Sequence, residues 1–104
     1  MSFENMYIPL VLEDKDIISD TEKLYINKWK WSEYFQNDNE IYLEIWTWFW
    51  HFFSQESSSK LDKNFVWMEI KYKRLYKTAE KSRDLWTKSF VLLKDFGQNI
   101  TKIF

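Results

Sequence analysis

The stretch that decides the fold is LDKNFVWMEIKYKRLYKTAEKSRDLWTKSFVLLKDFGQNITKIF, residues 61–104. From Leu61 to Ile103, the apolar residues recur almost without interruption at alternating steps of four and three. This spacing is a heptad pattern, which is typical of a helix that buries one face. It predicts one long helix over residues 60–96, or two helices broken near residues 81–84.

A strand is the competing interpretation for part of this stretch. Over residues 65–73, apolar side chains also alternate with period two, at Val66, Met68, Ile70 and Tyr72. A sheet needs tight turns, however, and the chain has one glycine and one proline with which to make them. The sequence therefore predicts an all-α fold, a small three- or four-helix bundle with a long C-terminal helix. The alternative is an α+β fold with a short antiparallel sheet.

A second apolar segment, residues 40–54, is rich in tryptophan and phenylalanine. At 100° per residue its polar side chains form one narrow stripe, while apolar side chains fill most of the remaining circumference. This spacing predicts an aromatic helix at the centre of the bundle. The stripe consists of Glu40, Glu44, Thr47, His51 and Gln55.

Local signals predict the structure of the amino-terminal part. Pro9 keeps the apolar residues around it out of a helix interior, so the segment 1–18 is expected to be an extended strap. A capping box, Ser19 with Glu22, begins a helix over residues 20–36. Lysine and tryptophan alternate within that helix, so a strand remains the alternative there. The whole chain, at 104 residues, is expected to form a single helical domain.

Charge divides the chain into two halves. Residues 1–59 carry 4 basic and 11 acidic side chains, whereas residues 60–104 carry 11 basic and 5 acidic ones. The acidic half is therefore expected to fold against the basic half; the alternative is a bipolar surface that recruits a charged partner. The scarcity of glycine, alanine, arginine and proline indicates an AT-rich coding sequence, as in phages, viruses and mobile elements.

Motifs for catalysis are absent from the sequence. The chain has no cysteine, and His51 is its only histidine, so it has neither thiolate ligands nor a histidine pair for a metal. Gly97 is its only glycine, which excludes a glycine-rich phosphate loop, and no serine-nucleophile motif is present. The sequence therefore predicts a non-enzymatic protein with no metal and no cofactor.

Lysine and tyrosine interleave over residues 71–77, which is typical of a helix that lies along phosphates. The sequence pI near 5.8 opposes that function, so nucleic acid is an unlikely partner. Twenty-two aromatic residues exceed what a small core needs, and aromatic residues flanked by cations anchor protein interfaces.

The predicted function is therefore that of a protein-binding module, an inhibitor, immunity or anti-defence factor from a phage, virus or mobile element. It would act by occluding another protein. The alternatives are a structural subunit of a larger, membrane-associated or soluble assembly, and a homo-oligomer. No signal peptide or transmembrane segment is evident, which predicts a cytoplasmic location. The predicted partner-binding residues are Lys63, Val66, Trp67, Ile70, Arg74, Lys77 and Lys81.

Overall fold

A computed structural model describes residues 4–45, 63–85 and 89–104. Within these ranges, short helices alternate with strands along the chain. The elements, in order, are a 3₁₀ helix Glu4–Tyr7, α1 Ile8–Glu13, β1 Ile17–Ile18, α2 Thr21–Ile26, α3 Trp31–Phe35, β2 Glu40–Ile45, β3 Lys63–Glu69, α4 Tyr72–Asp84, β4 Phe90–Lys94 and a 3₁₀ helix Gly97–Lys102.

The four strands form one sheet in the order β1-β4-β3-β2, and every pairing in it is parallel. Tyr42 lies opposite Phe65, and Phe65 lies opposite Phe90. The fold is therefore α/β and Rossmann-like, with helices interleaved between parallel strands. The predicted all-α bundle is wrong. The alternative with an antiparallel sheet is wrong as well.

Strands β3 and β4 are buried on both faces, which explains why their sequences are continuously apolar. Phe65 and Trp67 pack into the core on one face of the sheet, while Val66 and Met68 pack on the other. A continuous apolar run satisfies period 2 and period 3.6 at once, so periodicity does not distinguish a strand from a helix there. The heptad interpretation placed Phe65 and Met68 on one face of a helix, whereas in β3 these side chains point to opposite faces of the sheet.

Two helical layers enclose the sheet. On one face, Val11 of α1 and Leu75 and Ala79 of α4 share a core cluster with the strands. On the other face, Leu24 of α2, Trp31 of α3 and the C-terminal Ile103 do the same. The sheet is thus the middle layer of three, as in other folds built on parallel strands.

The heptad pattern correctly identifies one helix, α4. Leu75, Ala79 and Ser82 are heptad positions and are buried on its inner face. The helix ends at Asp84, within the predicted break, but the chain then continues into β4 rather than into a second helix. Scarcity of turn residues did not prevent a sheet, because parallel strands are joined by helices and loops rather than by hairpins.

Segment 40–54 was predicted to be a helix, but its described part is strand β2, which pairs with β3 along its whole length. Among the described strands β2 lies at one edge of the sheet, where Glu40 is exposed and Glu44 is half-buried. The rest of that prediction, including Thr47, His51 and Gln55, lies outside the described residues.

The amino-terminal predictions are also corrected. Pro9 lies in the first turn of α1, where a missing N–H is harmless, so the predicted extended strap is largely helical. The predicted helix over residues 20–36 is two short helices, interrupted at Trp29, whose φ is +67°. Asp20, one residue after the predicted cap, accepts hydrogen bonds from the amides of Glu22 and Lys23.

Ion pairs join the acidic half of the chain to the basic half, as expected from the charge distribution. Arg83 of α4 donates to both carboxylate oxygens of Asp14, at 2.9 and 3.0 Å, and to Asp16 at 2.9 Å. Lys63 forms an ion pair with Glu40. Burial lowers the pKa of the Arg83 guanidinium, but its hydrogen bonds to the two carboxylates outweigh that effect and raise the pKa above its ordinary value.

Among the described residues, no helix is long and apolar enough to cross a membrane. That the whole chain folds as one domain remains a prediction.

Candidate functional site

The segments that follow the two central strands, β3 and β4, pack on opposite faces of the sheet. After β3 the chain enters α4, which packs on the same face as Phe65 and Trp67. After β4 it enters the C-terminal 3₁₀ helix and reaches Ile103, which packs on the opposite face. In open α/β sheets a crevice forms where neighbouring connections diverge in this way, at the carboxyl ends of the strands. That position here is the carboxyl edge of β3 and β4.

A cavity of about 150 Å³ lies at this divergence point. It is small beside the roughly 300–1,000 Å³ of pockets that enclose a whole ligand. It therefore has room for a fragment of a ligand, and the remainder would lie across the open edge of the sheet. The lining residues are Met68, Glu69 and Ile70 at the end of β3, and Asp95, Phe96, Gly97 and Gln98 after β4.

Glu69, the last residue of β3, is a buried acidic residue among those that border this cavity. The residue is 3% exposed. Its Oε1 accepts a hydrogen bond from Arg74 Nη1 at 3.1 Å. Its Oε2 has no hydrogen-bond partner among the residues that the structure describes. Buried carboxylate oxygens are normally satisfied, so this atom is an unusual feature of the edge.

Asp95, at the end of β4, holds the loop that closes the cavity. Its Oδ1 accepts from the backbone N–H of Phe96 at 2.7 Å and from Asn99 Nδ2 at 2.8 Å. Its Oδ2 accepts from the Tyr25 hydroxyl at 3.2 Å. Partial desolvation and this hydrogen bond raise the pKa of Tyr25 above its ordinary value. Both oxygens of Asp95 are therefore occupied by hydrogen bonds within the protein.

Cations surround the same edge. Lys71 and Lys73 are exposed at the amino-terminal end of α4, whose first turn contains no acidic side chain. Lys94, at the end of β4, places its Nζ 4.8 Å from the ring centroid of Tyr72. Amide groups at a helix N-terminus and nearby lysines both attract anions. The edge thus offers positive groups at its surface and one carboxylate beneath them.

A larger groove, about 430 Å³, runs beside the edge strand β1, but it contains no comparable group. Its Asp14 is engaged by Arg83, and its Asp20 caps α2. Asp14 and Asp20 thus have structural partners. We place the candidate site at the smaller cavity because it lies where the connections after β3 and β4 diverge.

The structure disperses the residues that the sequence selected for partner binding. Val66 and Trp67 are core residues in the centre of the sheet, 0% and 1% exposed. Ile70 lines the cavity at the carboxyl edge, and Arg74 pairs with Glu69 there. The others lie elsewhere: Lys63 at the opposite end of β3 beside Glu40, Lys77 beside Glu80, and Lys81 in the last turn of α4.

Sequence reasoning missed Glu69, Asp95 and the Phe96–Gly97 loop. The available signal was a charged residue directly after a run of buried apolar residues, which occurs at Glu69 after Phe65–Met68 and at Lys94 and Asp95 after Phe90–Leu93. Such residues mark strand ends only if the runs are interpreted as strands. Within the described residues no three His, Cys, Asp or Glu side chains converge as metal ligands.

No protein-family model matches the chain. It is, however, 33% identical over 97 residues to a bifunctional glycosyltransferase/methyltransferase of Fusobacterium nucleatum subsp. nucleatum. The matched region is 92% of this chain and 15% of that protein. The chain thus spans a small part of the length of the curated relative it matches.

This similarity contradicts the prediction that the chain is a non-enzymatic inhibitor from a phage, virus or mobile element. Nearly the whole chain resembles a segment of a bacterial protein that is, by its name, a transferase. That prediction rested on the absence of complete catalytic motifs from this one sequence. A segment that supplies part of a larger active site need not contain any of them.

Proposed function

We propose that this chain is a segment of a transferase and that the carboxyl edge of its sheet binds the group donor. The observation that carries the proposal is the position of the cavity, at the point where the connections after β3 and β4 diverge. Open parallel sheets bind their ligands there. Similarity to a glycosyltransferase/methyltransferase supports a donor as the ligand.

Of the two reactions, methyl transfer is the first candidate. Its usual donor, S-adenosylmethionine, supplies an activated methyl group and carries no phosphate. The single glycine of this chain leaves no glycine-rich loop with which to cradle a diphosphate.

Glycosyl transfer is the second candidate, and the cations at the edge favour it. Lys71, Lys73 and the amino-terminal amides of α4 form an electropositive surface beside the cavity. A nucleotide-sugar donor carries phosphates, and such a surface attracts them.

The test is a titration of the full chain, labelled with ¹⁵N, with S-adenosylhomocysteine and separately with uridine diphosphate. We expect S-adenosylhomocysteine to shift amide signals of residues 69–71 and 95–98, because these residues border the cavity. Shifts of the same amides with uridine diphosphate alone would favour glycosyl transfer. The proposal is wrong if neither compound moves these signals at concentrations near 1 mM, which corresponds to a binding free energy of about −4 kcal/mol.

Two expectations from the sequence remain predictions. A cytoplasmic location can be checked by cell fractionation. Association with another protein, or with a second copy of the chain, can be checked by light scattering and affinity capture.

A further inference from the structure

The outer side of β1 has backbone groups without partners. On its inner side β1 pairs with β4, where the N–H of Leu92 donates to the carbonyl of Asp16 at 2.9 Å. Because backbone groups along a strand point to alternate sides, the carbonyl of Ile17 and the N–H of Ser19 point away from β4. Neither group has a hydrogen-bond partner among the described residues. This edge of the described sheet therefore presents one acceptor and one donor.

The groove beside β1 has an apolar wall on each face of the sheet. Leu12 belongs to α1, which packs on the same face as α4, and it is 63% exposed. Ile26 and Tyr34 belong to α2 and α3 on the opposite face, and Ile26 is 66% exposed. Side chains of this kind stabilise a protein when they are removed from water. A strand added beside β1 would lie between the two walls and cover both.

We propose that β1 accepts a short extended polypeptide segment as a further strand, supplied by another part of the transferase. The segment would donate an N–H to the Ile17 carbonyl and accept from the Ser19 N–H through a carbonyl. Since both walls are apolar, it should carry apolar side chains at consecutive positions, as β3 and β4 do. The inference rests on the proposal that the chain is a segment of a transferase, and not on the donor cavity.

The length of the relative supports this kind of partner. In the glycosyltransferase/methyltransferase of Fusobacterium nucleatum subsp. nucleatum the matched region is 15% of the protein. Most residues of that protein therefore lie outside the region and can supply a strand. The groove, at about 430 Å³, is within the range of roughly 300–1,000 Å³ for sites that enclose a ligand. Strands as short as about three residues occur in sheets, so a short segment suffices.

A second copy of the chain suits this edge less well. The outward carbonyl of Ile17 and N–H of Ser19 would pair with their equivalents only if the two-fold axis passed beside Ile18. That arrangement places Asp16 opposite Asp20 of the other copy, and like charges directly opposite each other are destabilising. A segment of different sequence avoids this repulsion.

The experiment titrates the full chain, labelled with ¹⁵N, with the peptide acetyl-Lys-Phe-Val-Leu-Leu-Lys-amide. Its apolar residues copy residues 90–93 of β4, the strand that pairs with the inner side of β1. A second peptide has the same side chains but carries N-methyl groups on its valine and both leucines. The test variant is Ser19→Pro, which removes the outward N–H. The matched control is Ser19→Ala, which retains it.

We expect the unmethylated peptide to shift the amide signals of Leu12, Ser19 and Ile26 and to bind with a Kd near 1 mM or below. The N-methylated peptide should bind about five-fold or more weakly, because it lacks the donor to Ile17. Ser19→Pro should weaken binding by a similar factor, and Ser19→Ala by less than about two-fold. Circular dichroism checks folding. If Ser19→Pro unfolds, the N-methylated peptide still tests the pairing on the unmodified chain.

Four outcomes would overturn the inference. Equal binding of the two peptides would show that the groove holds side chains without strand pairing. Shifts confined to residues 40–45 would place the peptide at β2 instead. A dimer in light scattering, with concentration-dependent shifts at residues 17–19 before peptide is added, would assign the edge to a second copy. Absence of shifts at about 5 mM peptide would reject strand addition. The donor site is judged separately, by the signals of residues 69–71 and 95–98, so it would stand or fall on its own titration.

Discussion

Gly97, the only glycine of the chain, shows how one residue shapes the carboxyl edge. Its φ is not positive, so its role is spatial rather than conformational. A Cβ atom built at this position would overlap Cγ2 of Ile45, at the end of β2. The loop after β4 therefore crosses the end of β3 and lies directly against β2, and it does so because residue 97 has no side chain.

We predict that Gly97→Ala lowers the free energy of unfolding by about 1–3 kcal/mol, the usual effect of overpacking. Ile45→Ala removes the overlapping methyl group. Because Ile45 is 39% exposed, that change alone should have the smaller effect. The double variant should recover most of the stability lost in Gly97→Ala, and urea denaturation measures all three. Strictly additive effects of the two substitutions would show that this contact does not matter.

Two residues that the sequence selected for partner binding, Ile70 and Arg74, lie near the candidate site, whereas Glu69 was not selected. Ile70 and Arg74 were selected as an apolar anchor and a steering cation for a protein partner. They lie at the site because both adjoin the end of β3. The helix interpretation gave no reason to select Glu69. Only if residues 63–69 form a strand does Glu69 lie at the carboxyl edge of a parallel sheet, where ligands bind.

Strand β3 is one of the two central strands of the described sheet. It is the partner of both β2 and β4, and its side chains fill both core clusters. Trp67 lies near its middle and is 1% exposed.

Trp67→Ala should therefore lower the free energy of unfolding by about 3–5 kcal/mol, as expected for a large side chain removed from a core. The matched control is Trp29→Ala, since Trp29 is 82% exposed and its loss should change stability by less than about 0.5 kcal/mol. Equilibrium denaturation in urea measures both. Similar small effects in the two variants would contradict the assignment of Trp67 to the core.

Local patterns predict helices better than they predict this sheet. The heptad positions Leu75, Ala79 and Ser82 identify the buried face of α4, because a helix with one buried face keeps its period. Strands β3 and β4 have no such signature, since side chains on both faces are buried. Their pairing depends on contacts across 25 or more positions of sequence, such as Phe65 with Phe90, which no local pattern contains.

In the molecule as a whole, ion pairs join the acidic half of the sequence, residues 1–59, to the basic half, residues 60–104. Arg83 connects α4 to Asp14 and Asp16, which lie just before β1. Asp16 also influences Tyr34 on α3. Burial, followed by the negative charge of Asp16, raises the pKa of the Tyr34 hydroxyl above its ordinary value.

This pKa shift predicts how stability depends on alkaline pH. Because the folded-state pKa of Tyr34 is raised, the unfolded chain loses this proton first as the pH rises above about 10. The contribution of Tyr34 to stability is therefore complete below that pH and is lost as the pH rises through the folded-state pKa. Tyr34→Phe should show a shallower decline in unfolding free energy between pH 9 and 11 than the unmodified chain. Parallel declines, measured by urea denaturation, would contradict the shift.

The pairing of the first strand with the last has a consequence for how the chain is made. β1 pairs only with β4 among the described strands, and the N–H of Leu92 donates to the carbonyl of Asp16 at 2.9 Å. During translation, residues 17 and 18 leave the ribosome long before residues 90–94 do. Ile17 and Ile18 therefore have no partner among the described strands until residues 90–94 have been synthesised, so β1 joins the sheet after β2 and β3 are available to pair with each other.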